Sequence, residues 1–161
     1  MILRELVVED APRMLSWMHD SEVVEKLQAD FASKTIEDCI KFIEDSHNNR
    51  DNLHLAICND DGMYIGTISL KHMDGESAEF GITIGRDGMG TGIAANAMEQ
   101  IINLGRKEYG ILYIYWCVHP DNVRALRFYD KNGYKRIESG DIPTTLHYTE
   151  EQINTYIWYM N

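Results

Sequence analysis

Residues 85–105, GRDGMGTGIAANAMEQIINLG, place four glycines in their first eight positions and then change to a helical stripe of Ala94, Ala97, Met98, Ile101 and Ile102. Before them runs SAEFGITI (77–84), which alternates Ala78, Phe80, Ile82 and Ile84 against Glu79, Gly81 and Thr83. After them runs ILYIYWCV (111–118), apolar on both faces as an interior strand must be. Strand, helix, strand in that order dictate a right-handed crossover with the two strands parallel. The glycines sit where the chain turns into the helix, and two readings fit them. Glycine reaches positive φ without steric cost, which serves a sharp turn. Glycines at a helix N-terminus also make an anion cradle, because free N–H groups and the helix dipole face the ligand.

The rest of the chain surrounds this unit. ILRELVV reads as a strand, EDAPRMLSWMHD as a helix carrying Met14, Leu15, Trp17 and Met18, and SEVVEKLQ as a short helix from Ser21. In KTIEDCIKFIEDS, Thr35 and Asp38 form a capping box ahead of Ile36, Cys39, Ile40 and Ile43. LHLAICN and MYIGTISL flank DDG and read as a hairpin. DNVRALRFYDKNG is a helix capped by Asp121 or Asn122 and stopped at Gly133, with YKRI and TYIWYM as closing antiparallel strands. ESGDIPTTLHYTEEQ is read as an irregular surface crossing. With no repeat or linker, residues 1–161 form one α+β domain with a mixed sheet.

Charge and composition exclude several functions. A net charge of −11 opposes binding of nucleic acid, whose affinity rests on neutralised phosphates. The charged N-terminus lacks a signal-peptide core, and no apolar run reaches the length of a membrane span. Cys39, Cys58 and Cys117 are odd in number and scattered, so they read as reduced thiols of a cytoplasmic protein. The six histidines form no ligand-spaced pair, and no metal is expected.

Two phosphate motifs can be tested against the loop. The Walker pattern is absent, while Gly90, Gly92 and Ala95 match the dinucleotide pattern. A doubly wound fold would need further βαβ units, yet only one helix and two short strands follow Val118. The second landmark is HPDNVRALRFYDKNGYKRI (119–137), which contains N-x-x-A-x-x-F-Y-x-x-x-G-Y. With GMGTG behind AEFGITI, it strongly resembles the GNAT superfamily of N-acetyltransferases, in element order over nearly the whole chain. The likeness extends to the RimJ/RimL-like branch, which acetylates protein N-termini or small amines, and equally to a branch that acetylates nucleotide-linked amino sugars. It implies a mostly antiparallel sheet with a splayed central parallel pair flanked by helices.

The resemblance also implies acetyl-coenzyme A as acetyl donor. Backbone N–H groups of Gly88, Met89, Gly90, Thr91, Gly92 and Ile93 would hold its pyrophosphate, and its pantetheine would pair with backbone near Ile82 and Ile84, beside Asn122. The family's usual Arg or Gln is replaced here by Asp87, so either Arg86 is expected to supply the positive charge or backbone amides suffice. Tyr129 matches the family's frequent general acid, and its other reading is a packed helix tyrosine. An ammonium of pKa about 10.4 must lose a proton before it attacks a thioester. Glu79 is the candidate base, and its other reading is an ion-paired strand carboxylate. Trp17, Phe31 and Trp158 are candidates for the acceptor pocket, and Asp20, Glu22, Glu25 and Asp30 for a polyamine cleft. The expected protein is a monomer or homodimer that acetylates a primary amine; a silent acetyl-coenzyme A sensor is the rival class.

Overall fold

The computed structural model describes residues 1–27 and 29–161. The expected helix over 21–28 is the single turn α2 (Ser21–Val24), capped by Asp20, and its last position, Gln28, lies outside the described residues. The other early elements are β1 (Ile2–Glu5), α1 (Ala11–Met18) and α3 (Ile36–Ser46). Thr35 and Asp38 close the capping box on α3 as their spacing requires.

Among the described residues, seven strands make one sheet in the order β1-β2-β3-β4-β5-β7-β6. They are β1, β2 (Leu53–Cys58), β3 (Tyr64–Asp74), β4 (Ser77–Ile84), β5 (Tyr113–Val118), β6 (Lys135–Ile137) and β7 (Ile157–Met160). Helix α4 (Ile93–Tyr109) connects β4 to β5, and α5 (Val123–Lys131) follows β5. The β4–β5 pair is parallel, and every other neighbouring pair is antiparallel. The parallel ladder covers only Ser77–Tyr113, Ala78–Ile114 and Glu79–Tyr115, after which the strands part.

The alternation of β4 decides which face each residue serves. Ala78 and Phe80 join Leu70, Ile101, Trp116 and Tyr129 in the main core beneath α4 and α5. Glu79, Gly81 and Thr83 face the other side, opposite Lys71, Ser69 and Thr67 of β3. There α1 and α3 cover β1–β3 through a second core of Met14, Trp17, Cys39 and Ile43. A third cluster, with Tyr115, Leu146 and Trp158, lies beside it. Part of the stretch expected to be irregular is ordered as α6 (Glu150–Thr155), with Thr149 and Gln152 forming its own capping box. None of the cysteines is in a disulfide.

Candidate active site

The glycine loop forms its turn with two left-handed residues, Gly90 at φ 74° and Gly92 at φ 82°. A Cβ added at either would meet no atom within 4 Å, so both backbones face open space. Gly88 is different: a Cβ there would fall 2.6 Å from the Ile84 side chain, so this glycine is a packing requirement. Gly92 caps α4 without a side-chain hydrogen bond, which leaves the first N–H groups from Ile93 onward pointing out of the helix. The Thr91 hydroxyl donates to the Gly88 carbonyl at 2.7 Å and braces the turn.

This loop is one wall of a cavity of about 710 Å³, lined also by Ile82, Ile84, Met89, Asn122 and Tyr129. The Asn122 side-chain carbonyl accepts from Ala125 N–H at 3.2 Å and caps α5. The Gly85 N–H donates to the Ile65 carbonyl, so along the β3–β4 register residues 85, 83 and 81 direct their backbone groups to β3. Ile82 and Ile84 therefore direct theirs the opposite way, into the gap where β5 has already diverged.

Charges around the loop differ from the expectation. Arg86 is clasped by Asp20 and Glu22, with its Nη2 2.7 Å from Asp20 Oδ1, and it lines a small neighbouring depression instead of the main cavity. Its hydrogen bond lowers the Asp20 pKa. Asp87 pairs with Arg13 in that same depression, so its carboxylate is turned aside. The cations that line the main cavity are Lys26, Arg124 and Lys131. Neither Lys26 nor Arg124 was singled out in the sequence, since Arg124 fills an unspecified position of its motif.

The gap between β4 and β5 opens into a cleft of about 470 Å³ that joins the two faces of the sheet. From the α5 side comes Tyr129, which lines both the cleft and the first cavity and is 6% exposed. Burial, and secondarily Tyr134 and Tyr159, push its phenol pKa well up, so it keeps its proton at neutral pH. From the opposite side comes Glu79, buried at 3% exposure. The Tyr148 hydroxyl donates to its Oε1 at 2.5 Å, Lys71 Nζ lies 3.6 Å from Oε1, and His72 Nε2 lies 3.5 Å from Oε2. A buried carboxylate is stable only with such partners. Their pairing with Glu79 was not legible in the sequence, where His72 stood only as a local positive contact beside Lys34 and Arg86, because it depends on the turn after Lys71 and on a distant loop.

A third pocket of about 430 Å³ lies on the Glu79 face, between α3 and the sheet, and meets the cleft at Phe31, Lys71 and Gly81. Trp17, Met18, Phe31 and Phe42 form much of its wall. His54 Nδ1 is 2.6 Å from Ser69 Oγ, and burial lowers the His54 pKa to about 4. Trp17 is mainly core, stacked obliquely on Tyr64 at 5.5 Å, with an edge on this pocket. Phe31 lines both pocket and cleft. Trp158 does not join them: it is 2% exposed, donates to the Ile153 carbonyl and packs behind Tyr148. Asp38 and Asp45 reach the pocket but are engaged, Asp38 by Thr35 and Asp45 by Lys41. Among the described residues no group of acidic, histidine and cysteine side chains is arranged to hold a metal, and no helix is long and apolar enough to cross a membrane.

Comparison with known proteins bears on this arrangement. A family model described as an acetyltransferase (GNAT) domain matches residues 1–135. An uncharacterised N-acetyltransferase, p20 of Bacillus licheniformis, is 25% identical over 139 residues, covering 83% of this chain and 78% of that protein. The fold is shared with spermidine N-acetyltransferase from Vibrio cholerae in complex with CoA and spermine, at TM-score 0.78 and 14% identity over 99% of this chain and 92% of that one. It is shared also with a PaiA N-acetyltransferase from Thermoplasma acidophilum in complex with coenzyme A, at TM-score 0.74 and 20% identity over 99% and 97% of the two chains.

Proposed function

The chain belongs to the GNAT acetyltransferase family and is an acyltransferase, and on that premise we propose that it moves an acetyl group from acetyl-coenzyme A to a primary amine. One observation carries the reading: Tyr129 and Glu79, from opposite faces of the sheet, line one cleft opened by the splay. The cavity behind that cleft suits a coenzyme. Open space at Gly90 and Gly92, free N–H groups at the start of α4 and three cations favour phosphates. The outward backbone of Ile82 and Ile84 suits an amide-bearing arm. Acetyl-coenzyme A supplies the activated thioester.

In this mechanism Glu79 accepts the proton that an acceptor ammonium must lose. The Ile82 N–H faces the gap and meets the negative charge that develops on the acyl oxygen. Tyr129, still protonated at neutral pH, donates to the departing thiolate. Gly81, without a side chain, keeps the passage from pocket to cleft open, and only the Lys71 stem crosses it.

The acceptor's body lies in the pocket beside α3. The acidic residues expected to serve a polyamine are largely committed elsewhere, because Asp20 and Glu22 hold Arg86. The pocket's walls suit an amine with one charge and an apolar body, either a small amine or a peptide N-terminus. A second reading, a nucleotide-linked amino sugar, is favoured by one observation: Lys34, Lys41 and Lys71 all line this pocket. Thiol release from acetyl-coenzyme A, measured with monoamines, short peptides, spermidine and amino-sugar nucleotides, tests these readings. Monoamines or peptides should be turned over best; preference for amino-sugar nucleotides would establish the second reading. Coenzyme binding without thiol release from any amine would identify a sensor.

A further inference from the structure

Forming an amide and a thiol from an ammonium and a thioester releases one proton to solvent in each turnover. One proton of the ammonium must leave before the nitrogen attacks, and a second ends on the thiol. If Glu79 takes the first, it must pass it on, yet Glu79 is 3% exposed. Its three neighbours differ in what they can accept. Tyr148 already donates to Glu79, and burial keeps its hydroxyl protonated. Lys71 is an ammonium with no site for another proton. An imidazole accepts at one nitrogen and releases from the other near neutral pH. His72 places Nε2 3.5 Å from Glu79 Oε2, with 42% of its side chain exposed.

The backbone is shaped to make this contact. Successive strand residues point to opposite faces, so Lys71 and His72 cannot both address one carboxylate in a regular strand. They do so because the β3–β4 register shifts between Lys71 and Asp74 and His72 adopts φ 50°. Its N–H donates to Asn52 Oδ1 at 3.0 Å, which holds the turn. Of the three non-glycine residues at positive φ among the described residues, the other two are Asn48 and His147, and the His147 ring lies edge-on to His72 at 6.0 Å. His72 thus faces Glu79 from the sheet and His147 from the loop before α6, and Lys71 and Tyr148 join it around the Glu79 carboxylate.

We propose that His72 is the proton exit of this site, carrying the proton from Glu79 to solvent. The proposal rests on Glu79 being the base. His72 acts through Glu79 and touches neither substrate. The bond changes balance: the ammonium N–H proton moves to Glu79 Oε2, then to His72 Nε2, and the opposite ring nitrogen releases one to water.

His72→Asn and His72→Gly test it, since both residues tolerate the left-handed backbone. In dilute buffer at pH 7, kcat should fall roughly 10–10²-fold, with acetyl-coenzyme A binding unchanged as the check on folding. Added imidazole should restore turnover in proportion to its concentration. Glu79→Gln separates the two ideas: it should lose turnover that imidazole does not restore. Wild-type turnover in Glu79→Gln would remove the base and the relay together. Loss in Glu79→Gln with wild-type turnover in both His72 variants, or a His72 loss that imidazole leaves unrepaired, would overturn the relay alone.

Discussion

The two sides of β4 are built by opposite means. Toward α4 and α5 the site is mostly main chain: left-handed glycines, a bare helix start and outward amides of Ile82 and Ile84. Toward α3 it is side chains, with Glu79 held by Tyr148, Lys71 and His72 and a pocket floored by His54 and Ser69. Main-chain groups are common to all residues, so the first side constrains sequence chiefly through glycine. The second can be re-specified by exchanging side chains on an unchanged frame. A donor shared by a family suits the first construction, and an acceptor that varies suits the second.

Three changes test that contrast. Tyr129→Phe should be the largest. It deletes the phenol proposed to protonate the departing thiolate and should lower kcat by about 10²–10⁴-fold. Coenzyme binding by calorimetry should stay near wild type; wild-type turnover would leave Tyr129 a packing residue only. Gly90→Val comes next. It puts a branched side chain into space that is open to ligand, at a φ that valine resists. Charged hydrogen bonds are worth about 1.5–3 kcal/mol, so the coenzyme Kd should rise roughly 10–10²-fold. Unchanged affinity in a folded variant would remove the glycine loop as the phosphate cradle.

The third change concerns stability on the side-chain side. His54 has its pKa lowered from 6.5 to about 4, chiefly by burial, so the folded protein resists protonating it. Its contribution is complete above pH 6.5 and is lost as pH falls toward 4. In urea titrations, His54→Asn should lose about 3 kcal/mol less than wild type across that window. Parallel stability curves would show that His54 titrates alike in both states and that the pocket is wet.

Most of the fold was legible because its signals are local. The Thr35–Asp38 box, the Asn122 cap and the alternation of β4 each lie within a few residues of what they determine. Helix α6 carries the same kind of box at Thr149 and Gln152, but six residues are too few to show an apolar period. The extension of β3 past Leu70 was hidden by the bulge that turns His72. Among the candidate residues, the glycine loop and Tyr129 line one cavity, and both were legible through spacing. Arg86 misled because its partner Asp20 lies 66 residues away, and local sequence cannot reveal which carboxylate claims a cation. Trp158 misled for a related reason: the register beside Cys117 puts it behind Tyr148 and away from the cleft.

The short parallel ladder has a consequence for solubility. Beyond Glu79 and Tyr115, two strands in the middle of the sheet present unpaired rims to each other. Such rims at the outside of a protein invite another chain to add a strand, and natural proteins guard them with charge, proline or bulges. Here the rims face inward, across a cleft bordered by Phe31, Trp116 and Tyr129. A slender amide-bearing molecule, as proposed for the coenzyme arm, would pair with them, whereas a foreign strand arriving with its own side chains must first displace those walls. The sheet thus keeps a sticky seam in its interior without advertising it to other proteins.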